Sequence, residues 1–124
     1  LYDAIMVKDS HIDALGGIVT TLKKLPTDIL QHYPVIVEVR DQFELEKAIE
    51  WGQDKISRVL LDNMTPQQLR QCVKSCLDIF PTEASGGINL SNVVAVAESG
   101  VDFISIGQIT HSATAVDLSM IVEQ

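Results

Sequence analysis

A lysine, several carboxylates and two glycine turns recur at one kind of place in this sequence, the end of a short apolar run. AIMV runs into Lys8-Asp9, VIV into Glu38, VLL into Asp62-Asn63, TEA into Ser85-Gly86-Gly87, and FISI into Gly107. These residue types suit a phosphorylated, anionic substrate. Backbone N–H groups of glycine turns hold phosphate oxygens, because no Cβ keeps the oxygens away. The two turns sit in successive units, each followed by a helix start, and Ser85 and His111 would add donors. The alternative is that the glycines merely end strands. Glu38 and Asp62 would hold Mg²⁺, or stabilise positive charge developing on a sugar. A glutamate inside VIVEV is costly to bury unless it is paired or binds a cation. An ion pair with Lys8 is the alternative to a functional role. His11 and His111 also follow strand ends, whereas His32 lies in a QHYP connector and reads as surface.

Placing these residues together requires a particular arrangement of elements. Short apolar runs alternate with stretches of helical periodicity, which is a β-α-β-α series and implies a parallel sheet. In such sheets ligands bind at the carboxyl ends of the strands. Strands are expected over 4–8, 35–39, 58–61, 82–84 and 102–106. The β-branched VIVEV run reads as a strand buried on both faces. Helices are expected over 14–25, where Pro26 breaks the pattern, and over 42–51 with Asp41 as N-cap. A third runs from Thr65-Pro66 to Ile79, with Leu69, Cys72, Val73, Cys76 and Leu77 on one apolar face. A fourth covers 90–99, capped at Asn89 and closed by Gly100. A polar turn follows over 108–113, and the stretch 117–122 fits a last strand or a helix. The fold class is α/β, with about five or six parallel strands.

Composition narrows the classes of function. The formal net charge is −8, which argues against nucleic-acid binding, where a basic face is expected. No apolar run approaches the roughly 20 residues that span a membrane, and no signal segment is present. Cys72 and Cys76 are spaced i, i+4, which is neither a zinc nor a redox pattern. They read as packed, reduced thiols of a cytoplasmic protein. A closed β/α barrel needs roughly 250 residues, so 124 residues supply about half of one. The chain opens on Leu1 and directly into a strand, which suggests a fragment or a processed piece. The expected organisation is a partial barrel over 1–124, with an N-terminal domain and the first barrel strands absent.

Taken in order, LYDAIMVKDSHI, VIVEV, VLLDNMTPQQLR, EASGGINLSNV, GVDFISIGQITHS and AVDLS resemble the quinolinate phosphoribosyltransferase family. The resemblance covers essentially the whole chain, and it is the motifs together that are specific. It implies the C-terminal part of an α/β barrel, usually in a dimer or larger homo-oligomer whose subunits share sites. It implies transfer of phosphoribosyl from phosphoribosyl pyrophosphate to quinolinate with loss of CO₂, giving nicotinate mononucleotide and pyrophosphate in NAD biosynthesis. By motif, Lys8 matches the lysine on a quinolinate carboxylate, and Glu38 and Asp62 match the acidic pair near the ribose and Mg²⁺. Ser85, Gly86, Gly87, Gly107 and His111 match positions around the phosphate. Asp9, His11 and Asn63 match further substrate-site positions.

Two departures from the family pattern stand out. The family reads K-D/E-N-H where this chain has Lys8-Asp9-Ser10-His11, so a hydrogen bond in that loop is altered. The family's His-Arg pair and upstream arginines fall before Leu1, and the chain's strand ends are short of cations for a multiply anionic substrate. The chain alone is therefore expected to be inactive and prone to aggregate along an exposed sheet edge. Competing readings are a relative of the same barrel, such as the phosphoribosyltransferases linked to molybdate transport, and a non-catalytic phosphate-binding barrel fragment.

Overall fold

The structure is a computed structural model, and it describes residues 3–111, 118 and 120. Five strands make one sheet: β1 (Ile5–Val7), β2 (Val35–Val39), β3 (Arg58–Asp62), β4 (Thr82–Ser85) and β5 (Phe103–Ile104). They lie in chain order and every neighbouring pair is parallel. An order that never turns back is the winding of a β/α barrel wall; a doubly wound sheet reverses at a switch point. The expected α/β fold is the one observed. Connections run through α1 (Asp9–Ala14), α2 (Ile18–Lys24), α3 (Thr27–His32), α4 (Gln42–Gly52), α5 (Pro66–Cys76) and α6 (Val93–Ala97). A short α7 (Gln108–His111) follows β5.

Side-chain alternation divides the sheet into two faces. Val35, Val37 and Val39 are fully buried, and in register Val37 lies between Val7 and Val59 while Val39 lies beside Leu61. The helices gather on this face, where Ile12, Leu22, Leu45, Ala48, Leu69, Cys72, Cys76 and Val96 complete one core. The other face carries Met6, Ile36, Glu38, Arg58, Leu60, Asp62, Glu83 and Phe103. VIVEV is therefore not buried on both sides: Ile36 and Glu38 are only half-buried, because the helices pack on the valine face.

Local signals explain most element boundaries. Asp41 caps α4 by accepting from the Glu44 N–H at 2.8 Å. Thr65 and Gln68 form a reciprocal capping box at the start of α5, with Pro66 in the first turn. Helix α5 ends at Cys76 rather than Ile79, since Leu77 leaves helical geometry and Asp78 takes φ 61. Leu77 is accordingly 69% exposed instead of on the buried face. The single helix expected over 14–25 is two, because Gly16 (φ 80) and Gly17 (φ 113) break it. Pro26, read as a breaker, directly precedes α3, so His32 ends a helix. Helix α6 starts only at Val93, because the Asn92 and Asn89 side chains build a turn before it. Strand β5 is two residues long, shorter than expected. The polar turn over 108–113 begins as α7, and the stretch 117–122 lies outside the described residues except at 118 and 120.

Candidate functional site

The carboxyl ends of the strands form one row. Lys8 follows Val7 and Glu38 follows Val37, and those valines are register partners, so Lys8 and Glu38 leave the sheet side by side. Glu38 pairs in register with Leu60, two residues before Asp62 on the same face. Strand spacing and rise place the Glu38 and Asp62 Cα atoms about 8 Å apart on the diagonal. Asp62 pairs in register with Ser85. Four strand spacings separate β1 from β5, about 19 Å in all. Lys8, Asp9 and His11 thus sit at one end of the row and the glycine turns at the other.

The β4–β5 end of the row is a cleft of about 640 Å³, within the range of small-molecule sites. It gathers Ser85, Gly86, Gly87, Gly107 and His111, all expected from the sequence, together with Ile88, Asn89, Ser105, Ile106 and Gln108. A Cβ on Gly107 would lie 2.7 Å from the His111 Nε2, so the bare glycine is what lets that imidazole sit over the strand end. Ser105 is a residue the motif reading missed. The signal was the FISIG alternation, which puts Phe103, Ser105 and Gly107 on one face. The Ser105 hydroxyl donates to Glu83, and Arg58 donates to the other Glu83 oxygen at 2.9 Å. The Arg58 guanidinium also stacks 3.8 Å from the Phe103 ring centroid. This ion pair lies below the cleft and satisfies the buried Glu83.

At the opposite end, Lys8 caps α1 and its N–H donates to the His11 Nδ1 at 3.0 Å. The Ser10 N–H donates to Asp9 at 2.5 Å. Lys8 and His11 are exposed. The expected alternative for Glu38, an ion pair with Lys8, does not form: the ion pairs of the described residues join Arg40 to Asp13 and Glu44, Lys47 to Glu50, and Arg58 to Glu83. One strand end does carry an arginine. Arg40 follows β2, but its guanidinium holds Asp13 at 2.9 and 3.1 Å and Glu44 at 2.5 and 3.1 Å. The hydrogen bonds it donates to Glu44 first, then to Asp13, hold its pKa above the ordinary guanidinium range. Arg40 is spent on fastening α1 to the β2–α4 junction.

Glu38 and Asp62 are both half-buried, share one face and offer oxygen donors. Among the described residues no third His, Cys, Asp or Glu gathers with them. That donor set suits Mg²⁺, which is commonly held by one or two carboxylates with water and substrate phosphates filling the shell. It would not close a structural zinc site, which takes four protein ligands.

Comparison with known proteins shows which family and fold the chain is similar to. Residues 1–121 match the family model described as quinolinate phosphoribosyl transferase, C-terminal domain. The chain is 39% identical over 120 residues to the probable nicotinate-nucleotide pyrophosphorylase [carboxylating] of Bacillus subtilis, covering 97% of this chain and 40% of the relative. It is 35% identical over 138 residues to the chloroplastic nicotinate-nucleotide pyrophosphorylase [carboxylating] of Arabidopsis thaliana, covering 99% of this chain and 40% of that one. The solved structure of the nicotinate-nucleotide pyrophosphorylase from Francisella tularensis superposes with a TM-score of 0.81 at 37% identity, over 96% of this chain and 41% of that chain. The chain spans about 40% of the length of the curated relatives it matches.

Proposed function

The chain belongs to the quinolinate phosphoribosyltransferase family through its C-terminal domain, and from that premise we propose that this protein moves a phosphoribosyl group from phosphoribosyl pyrophosphate to quinolinate. The quinolinate ring nitrogen bonds to the anomeric carbon as pyrophosphate leaves. One ring carboxyl departs as CO₂ and a proton takes its place, giving nicotinate mononucleotide for NAD synthesis. The observation that carries this reading is the row itself: a lysine, two carboxylates and a glycine-lined cleft in strand order along one end of the sheet.

Each residue has a role set by its place in the row. The Ser85-Gly86-Gly87 and Gly107 backbones, with Ser85 and His111, take the ribose phosphate in the cleft. Glu38 and Asp62 face the sugar, where fixed negative charge favours the oxocarbenium-like transition state over the ground state. Both carboxylates would also hold Mg²⁺, which when bound neutralises charge on the departing pyrophosphate. Lys8 takes a carboxylate of quinolinate and orients the ring nitrogen toward the anomeric carbon. Asp9 and His11 shape the first turn of α1 beside Lys8. The buried, unpaired Cys72 and Cys76 support a reducing compartment such as the cytoplasm. Among the described residues, no helix is long and apolar enough to cross a membrane. The proposal includes a homo-oligomer with shared sites, and inactivity of residues 1–124 by themselves, since among the described residues Lys8 is the one lysine or arginine of the row that no ion pair commits to a carboxylate.

The test is Mg²⁺-dependent pyrophosphate release by the protein at its natural full length, with phosphoribosyl pyrophosphate and with or without quinolinate. Release is expected only with quinolinate. Glu38→Gln and Asp62→Asn should each lower kcat by about 10²- to 10³-fold, and Lys8→Ala should raise the KM for quinolinate more than that for phosphoribosyl pyrophosphate. No quinolinate-dependent release from the folded wild-type protein would overturn the assignment.

A further inference from the structure

We propose that Asn63 is a positioning residue that locks the Asp62 carboxylate to the glycine turn after β4; its functional half rests on the role given to Asp62 above. Asn63 follows β3 with φ 52, in the left-handed region that asparagine enters more readily than most residues. Its backbone N–H donates to the Ser85 carbonyl at 2.9 Å, which ties it to β4. That backbone turn delivers the side chain to two neighbours at once. The Asn63 Nδ2 donates to the Asp62 Oδ2 at 2.8 Å. On its other side the carboxamide fills the space a side chain at 86 would need: a Cβ on Gly86 would lie 2.8 Å from Nδ2 and closer to the rest of the amide.

The arrangement does something neither neighbour could do alone. Asp62 receives one hydrogen bond on Oδ2, while its Oδ1 accepts none among the described residues. One oxygen is thus fixed and the carboxylate plane with it. The donor is neutral, so it orients Asp62 without cancelling its charge, as a lysine or arginine would. The clasped amide also makes the Asp62 end of the site and the Gly86 phosphate turn one rigid unit. Registration between the two matters because a displacement of about 1 Å between a bound group and the groups acting on it can cost roughly 10²-fold in rate. Gly86 then has a second duty besides admitting a phosphate. It makes room for Asn63. This assigns Asn63 away from direct substrate contact, the role its motif position suggested.

The experiment is a double-mutant cycle in the full-length protein, read by thermal unfolding and by steady-state kinetics. Asn63→Asp keeps the shape, removes the donor and sets a second charge against Asp62. Asn63→Gly keeps the left-handed backbone and removes the side chain. Both should lower kcat about 10- to 100-fold, the usual cost of losing a partner that orients a carboxylate, with both KM values nearly unchanged. Gly86→Ala should lower the Tm substantially in the wild-type background. In the Asn63→Gly background that loss should fall to about half or less, because only the strain of a positive φ at Gly86 remains. Equal Tm losses in the two backgrounds would defeat the clamp. A raised KM for one substrate with kcat intact would show Asn63 to be a contact instead. The Tm cycle needs no turnover, so a wild-type protein inert toward quinolinate would defeat the proposed function and leave the clamp separately decided.

Discussion

The two cysteines show how one residue type can look chemical in a sequence and be inert in a fold. Cys72 and Cys76 lie one helical turn apart on α5, and both are almost fully buried. Burial first, then the nearby Cys72 and the charge of Asp102, push the Cys76 thiol up to about 12. A thiol, not a thiolate, is the form present at neutral pH, and the thiolate is the nucleophile. Iodoacetamide should therefore leave Cys76 unmodified in the native protein and alkylate it quickly in denaturant; rapid native alkylation, read by mass spectrometry, would contradict its placement. The sign of the pH effect follows. The unfolded thiol titrates near its ordinary value of 9.0 and the folded one near 12. The stabilisation is complete below pH 9 and is lost as pH rises from 9 toward 12, because the unfolded state then binds fewer protons. A Cys76→Ala protein should show a shallower fall in Tm across that window. Glu38 and Asp62, by contrast, are half-buried on a face the helices leave open.

At the scale of elements, caps and turns decide where the functional side chains land. Helix α4 begins at Asp41, whose carboxylate takes the Glu44 N–H, while the Glu44 carboxylate takes the Arg40 N–H at 2.8 Å. That reciprocal pair ends β2 and starts α4 within two residues, so it also fixes how Glu38 leaves the sheet. Asp41→Ala should cost about 1 kcal/mol, and Asp41→Asn should cost little, since asparagine caps comparably; chemical denaturation of the full-length protein measures both. Helix α1 is six residues long, too short to be stable by propensity alone. It is held by Ile12 in the core and by the Arg40 fork on Asp13. The Lys8–His11 turn that opens α1 is thus positioned by tertiary contacts. The break after α1 was legible in principle, since Gly16-Gly17 is a turn signal. The apolar spacing from Ala14 to Leu25 outweighed it. Helix α3 was missed because Pro26 reads equally as a stop or a start, and only the packing chooses.

At the scale of the molecule, the sheet is one-sided. Helices cover the valine face, while Met6 and Phe103 stand 37% and 44% exposed on the other. Among the described residues, β1 and β5 each pair along one edge only. Unpaired parallel edges, with Met6 and Phe103 exposed beside them, are templates for association. The polypeptide of residues 1–124 should accordingly self-associate in size-exclusion chromatography. A stable, monodisperse monomer of 1–124 would count against this reading of the open face.

What the sequence determined by itself was the alternation of strand and helix, the parallel order, and the residue types at each strand end. Those follow from local periodicity and from the rule that connected parallel strands place their carboxyl ends together. The Asp41 and Thr65 caps were also legible, because a cap needs only its own next turn. Tertiary structure alone decided the rest. It set Asn63 between Asp62 and Gly86 through a positive φ and a missing Cβ, neither of which leaves a periodic trace. It committed Arg40 to Asp13, 27 positions away, and Arg58 to Glu83, 25 positions away. Such pairings depend on which strands become neighbours and on which face each side chain leaves, and no window along the chain contains both partners.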